Sequence, residues 1–365
     1  MSTTRNAGRQ LIKAALDAGF TVAVHYENDD KPAITRNGLS AVSDAIAGLL
    51  DPNGHHLNDL WSEATACDEA TVYITDHDKQ SMGWAYLVHW NDGDEVIIFS
   101  PYFVEYLFYV DNHGGKAVPI KTNKDFSPDF DSLKNALNEK TKAVIINSPN
   151  NPTGVVYSRE ELKQLAEILK WHSNESGKPV YLISDDPYKN ITFDQVKTAN
   201  ILEFYDNSIY ITSHSKDIAL PGERIGFVAV HPQCNDVGRL IAGLIFSNRV
   251  LGFVNAPALI QRVIKKVQGV TVEVEQYQKK RDFLYGELTR IGYDIVKPQG
   301  AFYFFPKSPI IDEVEFVKKL AKEKVLVVPG RGFGCPGYFR ISYCLPDSVL
   351  EGSIDGFESA FKTCR

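Results

Sequence analysis

The sequence predicts an α/β fold built on a mostly parallel β-sheet with helices on both faces. Between about residues 71 and 230, short apolar runs alternate with stretches of helical periodicity. Several of these runs are apolar almost throughout, which is typical of parallel strands that are covered on both faces. The chain has 365 residues, 44% of them hydrophobic and 23% charged, so it is long enough for about two packed domains.

Seven runs are the candidate strands of this sheet. They are TVYI (71–74), EVIIF (95–99), AVPI (117–120), KAVIIN (142–147), PVYLI (179–183), SIYIT (208–212) and IGFVAV (225–230). A helix is predicted between the fourth and fifth runs, because Ser158 and Glu161 match a capping box. Four apolar residues then share one helix face: Leu162, Leu165, Ala166 and Leu169. This alternation predicts three layers, α/β/α.

A smaller α+β domain is predicted after about residue 275. Helical periodicity at 274–290 precedes DIVKPQGAFYFFP, which is typical of two strands around a Pro-Gln-Gly turn. A helix at 311–322, the runs VLVVPG and YFRISYC, and a last helix from about Asp347 complete the pattern. We therefore expect a large domain over 35–275 and a small domain that combines 276–365 with 1–34.

Charge and cysteine content exclude several classes of protein. The chain has 39 basic and 46 acidic residues, and the net charge of −7 disfavours nucleic acid and anionic membranes as partners. No window approaches 18 uncharged apolar residues, so no membrane span is expected. The five cysteines are widely spaced and form no CxxC pair, which predicts reduced thiols in the cytoplasm and no metal site.

Three polar clusters directly follow predicted strands. They are SPNNPTG (148–154), SDDPYKN (184–190) and SHSKDIALPGERIG (213–226). Each cluster alone indicates only a turn, a cap or a surface lysine. Because ligands of open α/β sheets bind at the carboxyl ends of the strands, we expect the three clusters to meet in one site.

These clusters and the run YFRISYC resemble those of the fold-type I aminotransferases. This class I/II family contains the aspartate aminotransferase-like enzymes, which use pyridoxal 5′-phosphate (PLP). The resemblance extends from about Asp92 to the C-terminus. It implies a PLP-transferase fold with a seven-stranded sheet in the large domain, a homodimer, and transamination between an amino acid and a 2-oxo acid in amino acid metabolism.

The resemblance also implies which residues bind the cofactor. Lys216 matches the lysine that forms a Schiff base with PLP, and Asp185 matches the carboxylate that pairs with the pyridine nitrogen and keeps the ring an electron sink. Tyr188 and Asn151 match the pair that binds the phenolic oxygen. Ser213, Ser215 and Arg224 match contacts to the phosphate. Phe103, or else its neighbour Tyr102, matches the aromatic residue that stacks on the face of the ring, and Phe103 is the preferred candidate.

Substrate binding is implied for a residue of the smaller domain. Arg340, in YFRISYC, matches the arginine that binds the substrate's α-carboxylate through two hydrogen bonds, with Asn151 beside it. No second arginine can be assigned to a distal carboxylate. The aromatic residues Phe103, Tyr106 and Phe333 permit apolar substrates.

The N-terminal quarter departs from the family pattern. Relatives begin with a longer arm, and Ala33 stands where they carry a tyrosine that reaches the partner's phosphate. The small turn that holds the phosphate in relatives reads Asp76-His-Asp-Lys-Gln80 here, with Lys79 as a replacement donor. Three interpretations stay open: an active aminotransferase, a PLP-dependent lyase of the same fold, and a catalytically impaired homologue that binds PLP weakly.

Overall fold

A computed structural model describes residues 93–251 and 253–364, apart from the side chain of Val250, and the backbone of two short strands at 21–22 and 71–75. Within these residues, eight strands form one large sheet. They are β1 (Thr21–Val22), β2 (Thr71–Thr75), β3 (Glu95–Ser100), β4 (Lys116–Lys121), β5 (Thr141–Ile146), β6 (Tyr181–Asp185), β7 (Ser208–Ser213) and β8 (Gly226–Val230).

The spatial order of this sheet is β1-β2-β8-β7-β6-β5-β3-β4. Strand β8 runs antiparallel to its neighbours β2 and β7, and all other neighbouring strands are parallel. The mostly parallel sheet is therefore confirmed. All seven predicted runs are strands, and the two-residue β1 adds an eighth at the edge.

Helices cover both faces of the sheet. They are α1 (Glu105–Asp111), α2 (Phe130–Ala136), α3 (Arg159–Ser176), the one-turn α4 (His214–Asp217), α5 (Val237–Val250) and α6 (Ala258–Lys266). Successive strand residues point to opposite faces. Accordingly, Ile98 packs in a cluster with Leu244 of α5, whereas Ile97 packs in another with Leu165 of α3. The three-layer arrangement follows from these two separate clusters.

Helix α3 begins where the sequence predicts it. The hydroxyl of Ser158 accepts a hydrogen bond from the backbone N–H of Glu161, and the Glu161 carboxylate accepts one from the Ser158 N–H at 2.7 Å. The helix ends at Gly177, whose φ of +66° is in the left-handed region. Glycine adopts this conformation without steric cost, so the chain turns there into β6.

A second core consists mainly of residues beyond 274, together with Tyr188, Ile191 and Phe193. Helices α7 (Val274–Ile291), α8 (Glu313–Lys322) and α9 (Asp347–Lys362) pack around the antiparallel sheet β10-β11-β9. These strands are β9 (Tyr303–Phe304), β10 (Val328–Pro329) and β11 (Phe339–Ser342). The smaller α+β unit is thereby confirmed, while its boundary at residue 275 stays a prediction. No helix among the described residues has the length and apolarity of a membrane span.

One strand prediction in this unit is wrong. Of the two strands expected around the Pro-Gln-Gly turn, only β9 forms, because the turn pairs elsewhere. Gln299 and Gly300 both donate their backbone N–H groups to the carbonyl of Gly154, at 2.8 and 2.9 Å, and Pro298 has no N–H to donate. A Cβ on Gly154 would lie 2.6 Å from the Pro298 Cβ. The turn thus crosses the loop after β5 in direct backbone contact.

Candidate active site

A cleft of about 340 Å³ lies between the carboxyl ends of the central strands and the second core. The cleft is lined by six residues that the sequence analysis expected to bind the cofactor or the substrate, and by the two further aromatic residues it named, Tyr106 and Phe333. The six are Phe103, Asn151, Asp185, Tyr188, Lys216 and Arg340. Three of the contributing strands, β5, β6 and β7, are parallel neighbours. Their following loops therefore meet at one edge of the sheet, as expected.

Asp185, the last residue of β6, is held in a fixed position at the cleft. The Tyr106 hydroxyl donates a hydrogen bond of 2.6 Å to Oδ2 of Asp185, and the side-chain amide of Asn147 donates to its backbone carbonyl. Tyr106 is only 2% exposed. Sequence reasoning assigned no polar role to Tyr106 or Asn147. The sequence could have indicated that they belong to the site, because they lie close to Phe103 and Asn151 in the chain.

Substitution of Tyr106 by phenylalanine should destabilise the protein. A buried carboxylate that loses a neutral donor loses a charge-assisted hydrogen bond, and we expect a decrease of about 1.5–3 kcal/mol in the free energy of unfolding. Urea denaturation measures this change. Tyr102→Phe is the matched control, because Tyr102 is also buried and its hydroxyl has no hydrogen bond to a described residue. Equal effects of the two substitutions would contradict the proposed bond energy.

Asp186, the next residue, is buried beneath the cleft. Its Oδ1 accepts hydrogen bonds from the Ser184 hydroxyl at 2.9 Å and from the Ser148 N–H at 3.4 Å. Burial raises the pKa of Asp186 to about 7, and the opposing effects of Ser184 and Lys189 are smaller. Asp186 therefore ties the loop after β5 to the end of β6, and it is not one of the residues that line the cleft.

Asp186→Asn should become more stable relative to the wild type as the pH rises from about 4 to about 7. In this range the unfolded carboxyl group loses its proton while the folded one keeps it, so the wild type loses stability with rising pH. Above pH 7 the difference is constant, at up to about 4 kcal/mol. Urea unfolding at pH 4.5 and pH 8 measures it. Asp355→Asn, at an exposed position, is the surface control, and parallel curves for both variants would contradict the prediction.

Tyr188 contacts a second tyrosine that the sequence analysis did not single out. The hydroxyl groups of Tyr188 and Tyr303 lie 3.0 Å apart and share a hydrogen bond. Both side chains are buried, and burial raises the pKa of each phenol. Both hydroxyl groups therefore carry their protons at neutral pH. Tyr303 was missed because it is 115 positions away from Tyr188 in the sequence.

Arg340, on β11, is arranged as a carboxylate-binding group. Its guanidinium contacts the rings of Tyr303 and Phe333, with 4.6 and 4.8 Å from Cζ to the two ring centroids. Nη1 donates a hydrogen bond of 2.9 Å to Oδ1 of Asn151. Nε is buried and has no hydrogen-bond partner among the described residues. A ligand carboxylate would satisfy this buried donor.

The predicted phosphate-binding residues do not line the cleft themselves. The Ser213 hydroxyl caps α4 by accepting from the Ser215 N–H at 3.3 Å, and the Arg224 guanidinium donates to the carbonyl of Pro221. Ser213, Ser215 and Arg224 nevertheless lie within eight positions of Lys216 in the sequence. Lys79, the turn at 76–80 and Ala33 lie outside the described residues.

Comparisons with known proteins agree with this arrangement. Residues 57–356 match the family described as aminotransferase class I and II. A probable aspartate/prephenate aminotransferase of Aquifex aeolicus is 36% identical over 288 residues, which are 74% of this chain and 71% of that protein. An aromatic-amino-acid aminotransferase of Thermococcus litoralis is 30% identical over 366 aligned positions, covering 97% of this chain and 87% of that protein. The crystal structure of an amino transferase from Eubacterium rectale has a TM-score of 0.78 and 41% identity, covering 80% of this chain and 74% of that one.

Proposed function

Because this chain belongs to the class I and II aminotransferase family, we propose that Lys216 carries PLP and that the surrounding cleft binds an amino acid and its 2-oxo acid partner. The enzyme class and the cofactor follow from the family: the chain is a PLP-dependent aminotransferase, which transfers nitrogenous groups. The observation that carries the residue assignment is the convergence of six expected side chains on one cleft.

The described residues fit this cofactor. The cleft is within the size range of small-molecule sites. Asp185 offers a positioned carboxylate for a protonated pyridine nitrogen, and the half-buried Phe103 offers an aromatic face for the ring. Tyr188 and Asn151 offer polar groups for the phenolic oxygen. When bound, PLP supplies an aldehyde that reacts with amines and a ring that withdraws electrons.

Lys216 has two tasks in this proposal. Its Nζ holds the cofactor between turnovers, and once released it moves the proton at the substrate's Cα. The residue lies in the one-turn helix directly after β7 and is partly buried in the cleft. This position partly shields the amine from water while keeping it within reach of a ligand.

Arg340 binds and orients the substrate in this proposal. Its guanidinium donates hydrogen bonds to the α-carboxylate, and Asn151 and the two rings that it contacts hold the guanidinium in place. The lining also contains the apolar side chains of Phe103, Val328 and Phe333 and the carboxylate of Glu105. An apolar substrate side chain suits this lining better than an acidic one, since Glu105 would repel a second carboxylate.

We further propose a homodimer in the cytoplasm. Helices α5 and α6 expose large apolar side chains, among them Phe246 (65% exposed) and Leu259 (71% exposed), which a second copy would cover. Sedimentation velocity tests the dimer, and a monomer at micromolar concentration would contradict it. Four described cysteines are free thiols, which supports a reducing compartment.

Trapping of the cofactor on its lysine tests the proposed function. The purified protein is incubated with PLP, freed of excess, reduced with borohydride and digested, and the modified peptide is located by its mass. We expect one adduct per chain, on Lys216. In the control, PLP is added only after the borohydride has been used up, so that no adduct can be trapped. No adduct, or one on a different lysine, would overturn the assignment.

A further inference from the structure

Tyr303 contacts both Tyr188, on the side of the cleft that is expected to bind the cofactor, and Arg340, on the side that is expected to bind the substrate. Its hydroxyl lies 3.0 Å from that of Tyr188, and its ring lies 4.6 Å from Cζ of Arg340. We propose that Tyr303 is a positioning residue that couples carboxylate binding at Arg340 to the orientation of the Tyr188 hydroxyl. The inference rests on the proposed function, because it takes Tyr188 to contact the cofactor.

The hydroxyl of Tyr303 determines where the Tyr188 hydroxyl points. Each phenol has one hydrogen to donate, and both side chains are buried. When Tyr303 donates to the oxygen of Tyr188, Tyr188 keeps its own hydrogen for an acceptor in the cleft. A donor that itself accepts a hydrogen bond is a stronger donor. Tyr303 thus strengthens the bond that Tyr188 offers to the phenolic oxygen of PLP.

The ring of Tyr303 determines the position of the Arg340 guanidinium. Tyr303 and Phe333 both contact the same cation, with 4.6 and 4.8 Å from Cζ of Arg340 to their ring centroids, and both contacts are within the range of a cation–π interaction. Tyr303 is on β9 and Arg340 on β11, and these strands pair directly, with Ser342 opposite Tyr303. The sheet therefore holds ring and guanidinium together.

These two contacts belong to one side chain: the hydroxyl of Tyr303 contacts Tyr188, and its ring contacts Arg340. A carboxylate that draws the guanidinium toward the cleft changes its contact with the ring, and the ring carries the hydroxyl that holds Tyr188. The cofactor side therefore responds to occupation of the substrate side. Phe333 packs on the same guanidinium but has no hydroxyl, so it offers a matched comparison.

Four variants separate the two roles: Tyr303→Phe, Tyr303→Leu, Phe333→Leu and Tyr188→Phe. Binding of 3-phenylpropanoate, a carboxylate without an amino group, is measured by calorimetry. The absorbance of the PLP-loaded protein is also followed while the pH is changed, and the pH at the midpoint of the absorbance change is determined. Tyr303→Phe should raise this midpoint by about half a unit, as expected for one lost hydrogen bond, and leave carboxylate binding within about twofold.

The other variants complete the pattern. Phe333→Leu should weaken carboxylate binding by about 3-fold to 30-fold without moving the midpoint, and Tyr303→Leu should change both. Tyr303→Phe should add no further shift on a Tyr188→Phe background, because the two hydroxyl groups act as one unit. Additive shifts, or an unmoved midpoint in Tyr303→Phe, would overturn the inference.

The adduct experiment separates the two possible failures. A wild-type protein without PLP on Lys216 would overturn the proposed function and, with it, the cofactor half of this inference. A normal adduct together with unchanged titrations in Tyr303→Phe would overturn this inference alone. The carboxylate half is measured on the protein without PLP, so equal binding by the wild type and Tyr303→Leu would contradict it in either case.

Discussion

Replacement of Lys216 by alanine is expected to lower transamination by at least about 10⁴-fold, because both the covalent attachment and the proton transfer at the substrate's Cα are lost. The borohydride-trapped adduct should disappear from the peptide that contains residue 216. The measurements are a transamination assay with an amino donor and a 2-oxo acid whose side chain is apolar, and mass analysis of the reduced digest.

The matched control for this substitution is Lys189→Ala. Lys189 follows β6 closely in sequence, but its Nζ lies 5.2 Å from the centroid of the Tyr210 ring and it does not line the cleft. We expect this variant to keep the adduct on Lys216. Continued turnover of Lys216→Ala at more than a hundredth of the wild-type rate would contradict the assignment, as would loss of the adduct in Lys189→Ala.

Replacement of Arg340 by alanine is expected to raise KM for the amino donor by about 30-fold to 800-fold. The change corresponds to the loss of a charge-assisted pair worth about 2–4 kcal/mol. PLP should still attach to Lys216, since Arg340 is expected to contact the substrate and not the cofactor. The measurements are steady-state kinetics over a wide range of donor concentration and the adduct yield.

Two further variants test whether the effect depends on geometry. Arg340→Lys keeps the charge but cannot form the planar double contact or pack on the rings of Tyr303 and Phe333 as well, so its KM should lie between those of the wild type and the alanine variant. Arg290→Ala is the surface control, because the Arg290 side chain is 53% exposed and forms an ion pair with Glu287. An unchanged KM in Arg340→Ala would show that another group binds the carboxylate.

Much of the sheet and part of the site could be predicted from local sequence. The runs that form β3 and β5 to β8 are apolar because these strands are almost entirely buried, so hydrophobicity alone revealed them. Lys216 and Asp185 could be placed at one edge because neighbouring parallel strands end together. Resemblance to a family then supplied their expected roles.

The contacts that support these residues could not be predicted, because they join distant parts of the chain. Tyr106 is 79 positions before Asp185, and Tyr188 is 115 positions before Tyr303. No local pattern distinguishes such tyrosines from others that fill a core. The strand expected before β9 was also mispredicted because of a contact between distant parts of the chain. Gln299 and Gly300 pair with Gly154, which precedes them by about 145 positions.

The crossing of Gly154 and the turn at 298–300 constrains which sequences can build this cleft. A Cβ on Gly300 would lie 2.7 Å from the carbonyl oxygen of Ile191 and 2.8 Å from Cγ of Pro149, and Gly154 has a φ of +71°. Any side chain at either position would push the two cores apart. In a saturation mutagenesis screen for activity, both positions should therefore accept glycine alone. They would score like catalytic residues, although neither lines the cleft.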